Sequence, residues 1–167
     1  SARANFLTKD LNVFCGGSEN WIDAITWSKG GQPFDPKMLL GRKCYGGLDL
    51  ASTRDLTAYV LVFPPDADDG EWYVLAWFWC PQEKIDTQEA DDRANYKAWQ
   101  RDGWLTATPG NVTDYKPIEA TIRQSVTEYE VVSIGFDRWN AQQLSNTLTD
   151  DGLPLVDVAQ NTAGMHP

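Results

Sequence analysis

Two aspartates stand where the apolar pattern of a strand runs out. Asp49 sits in the run KCYGGLDLA and Asp137 closes EVVSIGFD. Aspartate is depleted in strands and common in turns, so each taken singly has an ordinary explanation. Asp49 then marks a bulge or an early strand end, and Asp137 starts the turn into the next element. Brought into one crevice, two carboxylates repel each other unless something positive lies between them, and a divalent cation is the simplest candidate. Mg²⁺ and Mn²⁺ favour carboxylate oxygens and keep water in open positions. A pair of such ions about 4 Å apart can activate a water and stabilise the leaving oxygen in phosphodiester hydrolysis. Asp55, one hairpin turn beyond Asp49, is a secondary candidate for a metal or phosphate contact, against a plain reading as a turn residue. Arg138, beside Asp137, offers a guanidinium fork suited to a phosphate and equally to a surface ion pair.

The elements that must position these residues can be read from Lys43 onward. Residues 43–51, 56–63 and 71–79 have the β-branched and aromatic texture of strands, separated by STRD and PPDADDG, and short connections predict an antiparallel meander. DTQEADDRANYKAWQRDG reads as a helix that Gly103 ends, and TPGNVTDY as a loop. Asp114 is placed to cap a helix whose Tyr115, Ile118, Ile122 and Val126 recur at helical steps, with Pro117 tolerated in the first turn. EVVSIGFD is an unbroken apolar run, the pattern of a strand covered on both faces. A further helix follows, with Asn140 and Gln143 at capping-box spacing and Leu144 and Leu148 on one face, and LPLVDVA is a last strand. If the fourth of these strands lies alongside the first, Asp49 and Asp137 meet at the strand ends, where open α/β sheets bind ligands.

Composition sets limits on the chemistry. The 167 residues suffice for one compact domain, and 42% hydrophobic content with eight Trp, six Tyr and six Phe excludes intrinsic disorder. The net charge of −10 is unlike that of modules that grip phosphate backbones by charge alone, so nucleic-acid chemistry would need metal ions or a partner. Cys15, Cys44 and Cys80 are widely spaced, which indicates free thiols and no structural zinc site. No apolar run reaches membrane length and the N-terminus lacks a signal-peptide pattern, so a cytosolic protein without membrane contact is expected. Trp72, Trp77 and Trp79 could stack bases, but burial against a helix is the expected role. His166, one residue from the end, reads as a tail residue.

GGLDLASTRDLTAYVLVF, YKAWQRDGWLTATPGNVTDY and VVSIGFDRWNAQQLSNTL followed by DGLPLVDVAQ together resemble the nuclease domain of large terminase subunits of tailed double-stranded DNA phages. The resemblance runs from about Leu11, with Trp21 and Trp27, to the chain end. It implies a ribonuclease H-like α/β fold, a mixed sheet of a three-strand antiparallel meander plus parallel strands flanked by helices. It further implies that Asp49 and Asp137 match the metal-binding acidic positions, and that Mg²⁺ or Mn²⁺ supports cleavage of concatemeric double-stranded DNA. The partners it implies are a terminase ATPase domain, the small subunit and the portal, in the cytoplasm of the infected host. Residues 1–42 are expected to form an arm or connection from an ATPase domain, and 43–167 the nuclease domain.

Two departures from that family are visible. There is no G-x-x-x-x-G-K-[ST] loop, so no ATP hydrolysis is expected of this chain. The family's third acidic residue follows the last strand, and Asp150, Asp151 and Asp157 fit that role poorly, so a C-terminally truncated domain with an incomplete site, weak metal binding and little or no cleavage by this chain alone is expected. Two rival functions remain open at this point. GLDLAST looks like the phosphate hairpin of actin- and sugar-kinase-like nucleotide-binding domains, though no later D-x-G strand end accompanies it. A non-catalytic docking module with an acidic surface and a Trp-rich arm is the other.

Overall fold

Buried residues in β1 (Lys43–Asp49) and β2 (Thr57–Phe63) alternate with more exposed ones, so each commits one face to the interior, while β3 (Tyr73–Pro81) ends in three consecutive buried residues. In the computed structural model, which describes residues 22, 24–51, 55–66, 70–87, 95–137 and 142–159, these three strands form the antiparallel meander. The chain divides into two compact units, Ser1–Asp35 and Pro36–Pro167. In the first, helix α1 (Ala24–Lys29) is short and leaves Trp27 exposed. In the second, a 3-10 turn at Pro36–Leu39 seals Leu39 completely, and the Gly41 N–H donates to the Glu128 carbonyl.

The second unit continues with α2 (Gln82–Asp86), α3 (Tyr96–Arg101), β4 (Thr106–Thr108), α4 (Tyr115–Glu128), β5 (Glu130–Phe136), α5 (Gln142–Asp150) and β6 (Leu155–Asp157). The six strands lie in the order β4-β3-β2-β1-β5-β6. β1 pairs with β5, β5 with β6 and β3 with β4 in parallel, so only β2 runs against the rest and five strands end at one edge. This is the mixed α/β sheet expected, with helices flanking it.

Helix α4 forms where the spacing places it. The Asp114 Oδ1 accepts from the Lys116 N–H at 3.0 Å, and Ile118 and Ile122 are sealed from solvent. Each such burial contributes roughly 1.5–3 kcal/mol relative to exposure. The helix is pinned to β2 by a buried hydroxyl pair, Tyr59 and Ser125 at 2.8 Å. Ser125 Oγ donates its one proton to the Ile122 carbonyl, so Tyr59 is the donor in that pair. Leu144 and Leu148 of α5 are buried together, as their spacing predicts.

Four expectations need correction. The helix expected over DTQEADDRANYKAWQRDG is, among its described residues, only the last residue of α2 and then α3, which the Asn95 side chain starts by accepting the Ala98 N–H; most of α2 precedes that stretch. β4 was missed because three residues carry no periodicity. β5 is not covered along both faces, since Val132 is 42% exposed while Ile134 and Phe136 are buried. The tryptophans divide: Trp79 is buried, Trp77 stacks on Tyr59 at 5.5 Å, and Trp72 stands exposed. The Leu11–Phe14 segment, Cys15, Trp21, Asn140 of the expected capping box and His166 lie outside the described residues.

Candidate metal centre

β1 ends in Gly-apolar-Asp, Gly47-Leu48-Asp49, and β5 ends in Gly135-Phe136 with Asp137 next. Because the strands are parallel and Gly47 pairs with Gly135 and Leu48 with Phe136, the two aspartates are next in register at neighbouring strand ends. Alternation then sends Leu48 and Phe136 into the buried face and both acids to the other. Leu48 and Phe136 are 5% and 9% exposed, which locks the register on the interior side.

At the acid-bearing strand ends lies a cleft of about 380 Å³ lined by Gly47, Leu48, Asp49, Ala58, Val60, Gly135, Phe136, Asp137 and Val158. Its floor is open because small residues form it. A Cβ built on Gly47 meets nothing within 4 Å, whereas one on Gly135 would press Val158 Cγ2 at 3.0 Å. Asp49 is exposed and Asp137 half-buried at the cleft. The donor set is made of hard oxygens, suited to Mg²⁺ or Mn²⁺ with water filling the other positions, and unsuited to softer metals that prefer nitrogen or sulfur. Among the described residues there is no cluster of three or more His, Cys, Asp or Glu that could hold a metal ion.

The other sequence candidates fall elsewhere. Asp55 does not line the cleft; its Oδ1 accepts the Leu56 N–H at 2.9 Å, and its charge bears on Cys80, at the end of β3. Arg138 lies outside the described residues. Asp157 ends β6 in register with Phe136, hence on the face opposite Asp137, and borders a separate polar cleft with Asp150, Ser145 and Thr149. Cys44 and Cys80 are buried free thiols, and burial, then the Glu130 charge, pushes Cys44 up to about 11.

Sequence reasoning did not single out Gly47 and Gly135, which make the cleft. The repeated G-x-D at two strand ends was the signal available. Among the described residues, no helix is long and apolar enough to cross a membrane.

Comparison with known proteins adds the following. The family described as terminase large subunit, endonuclease domain, matches residues 2–166. The large terminase subunit of Enterobacteria phage HK97 is 41% identical over 128 residues, which is 75% of this chain and 25% of that protein. The crystal structure of the HK97 bacteriophage large terminase superposes with a TM-score of 0.70 at 37% identity, over 87% of this chain and 30% of that one. The chain thus spans between a quarter and a third of the length of the relatives it matches.

Proposed function

Since the chain belongs to the endonuclease-domain family of terminase large subunits, we propose that it cuts double-stranded DNA by divalent-metal-assisted hydrolysis at the Asp49–Asp137 cleft. The observation that carries this reading is the side-by-side placement of two carboxylates on one face of paired parallel strand ends. Bound Mg²⁺ or Mn²⁺ would supply a hydroxide at neutral pH and neutralise charge on the phosphate.

The chain's own residues do the holding and shaping. Asp49 and Asp137 present carboxylate oxygens to the ion, and the two carboxylates leave coordination positions for water and for phosphate oxygens. Gly47 and Gly135 keep the floor low enough for a sugar-phosphate backbone to approach. Arg138, adjacent in sequence to Asp137, is the candidate to hold the scissile phosphate, and Asp55 is kept as an outer contact only. With a net charge of −10, affinity for DNA must come through the metal and through other parts of the packaging machinery. That machinery comprises, on this reading, an ATPase domain, the small terminase subunit and the portal, acting on concatemeric phage DNA in the cytoplasm of the infected host. The large-subunit identity of the HK97 relative supports the placement.

A manganese-soaked crystal, with anomalous scattering locating the ion, tests the site. Density between the Asp49 and Asp137 carboxylates is expected, together with loss of any residual Mn²⁺-dependent plasmid cutting in Asp49→Asn and in Asp137→Asn. Manganese bound elsewhere, with cutting retained in both variants, would refute the assignment.

A further inference from the structure

Beyond Asp49 the β1 ladder ends, yet the next two residues, Leu50 and Ala51, are buried at 3% and 7% exposure. Buried backbone groups need partners, and here side chains supply them. The Ala51 N–H donates to Thr57 Oγ1 at 3.1 Å, and the Tyr115 hydroxyl donates to the Ala51 carbonyl at 3.0 Å. Thr57 is the first residue of β2 and fully buried; Tyr115 is the first residue of α4. Both backbone polar groups of one residue are therefore held from two different elements, two positions past a proposed metal ligand.

We infer that Thr57 and Tyr115 are positioning residues for the Asp49 carboxylate. Holding Ala51 fixes the path by which the chain leaves β1, and with it the direction in which the Asp49 side chain projects beside Asp137. Antiparallel pairing of Asp49 with Ala58 holds the near side of that path, and the two hydroxyls hold the far side. A metal site built from only two carboxylates on separate strands depends strongly on their spacing, so a loose strand exit weakens binding before it weakens the fold. Burial raises the Tyr115 hydroxyl above its ordinary range, which keeps it protonated as a donor at neutral pH. This inference rests on the metal-site reading above.

The test uses Thr57→Val and Tyr115→Phe in the 167-residue chain, each deleting a hydroxyl with little change of shape. Mn²⁺ binding is titrated by electron paramagnetic resonance, and amide hydrogen exchange is followed at Ala51. Tyr59→Phe, which deletes a buried hydroxyl bonded to α4 and not to the strand exit, is the comparison. Faster exchange at Ala51 is expected in Thr57→Val and Tyr115→Phe. Their Mn²⁺ affinity should fall about tenfold, the lower end for partners that orient a metal ligand. Tyr59→Phe should leave that affinity unchanged. Wild-type Mn²⁺ affinity in both positioning variants, with Ala51 exchange faster, would overturn the inference and leave the metal site standing. No Mn²⁺ binding by the unsubstituted chain would overturn both.

Discussion

Adjacent glycines on β1 face opposite sides of the sheet, and exchanging each for alanine separates the fold from the cleft. On the buried side, a Cβ at Gly46 would stand 2.9 Å from Cγ1 and 3.3 Å from Cγ2 of Ile134, and 3.4 Å from its Cα. Ile134 is fully buried, so it has no free space to turn into, and its backbone belongs to the neighbouring strand. Overpacking of this kind costs about 1–3 kcal/mol, offset by roughly 0.5–1 kcal/mol gained when alanine replaces glycine in a strand. The net loss is up to about 2.5 kcal/mol, a fall in Tm of up to roughly 10 °C for a chain of this size. At Gly47 a Cβ meets nothing within 4 Å, so Gly47→Ala keeps only the entropic gain of up to about 1 kcal/mol and holds or raises Tm. Thermal unfolding by circular dichroism reads both. On the functional side, Gly47→Ala puts a methyl group on the cleft floor and is expected to weaken Mn²⁺-dependent DNA cutting in spite of its stability. Equal loss of Tm in the two variants would refute the division of faces on which the site rests.

Alkaline pH should unfold the protein through two buried groups. Burial pushes Tyr59 from 10.0 up to about 12, and burial with the Glu130 charge pushes Cys44 from 9.0 up to about 11. Both values are raised in the folded state, so the stability they bring is complete below pH 9 and drains away as pH climbs through 11 to 12. Each contributes at most about 2–3 kcal/mol over that interval, and Tyr59→Phe should flatten the Tm profile above pH 10. Removing the α4 cap in Asp114→Ala should cost about 1 kcal/mol, with Asp114→Asn recovering most of it in urea unfolding.

The elements with strong periodicity or caps were legible in the sequence, and the weakly patterned ones were not. α4 announced itself by Asp114 and the Ile118–Ile122 step, and the two acids by charge at the end of apolar runs. β4 is a three-residue strand whose existence depends on β3 beside it, a tertiary fact with no local trace. The stretch from Asp86 to Gly103 reads as one helix because alanine and polar residues satisfy helix propensity throughout, and only the Asn95 side chain shows where α3 begins. The Ala51 clamp joins residues distant in sequence, so nothing local foretells it.

Register explains why the two acids meet at all. Along β1 and β5 the pairing begins as Lys43 with Glu130 and Cys44 with Val131, then shifts so that Tyr45 pairs with Ser133. Val132 is the residue passed over, and its 42% exposure fits a side chain left out of the regular packing. Had pairing continued unshifted, Leu48 would lie opposite Gly135 and Asp49 opposite Phe136. A slip of one residue sends a strand's side chains to the other face, so Asp49 and Asp137 would then project from opposite sides of the sheet. The shift is what brings glycine opposite glycine on the cleft side and Leu48 opposite Phe136 on the core side. Burial of Leu48, Ile134 and Phe136 holds that alignment energetically, so the interior packing of β1 and β5 is also what positions the carboxylates.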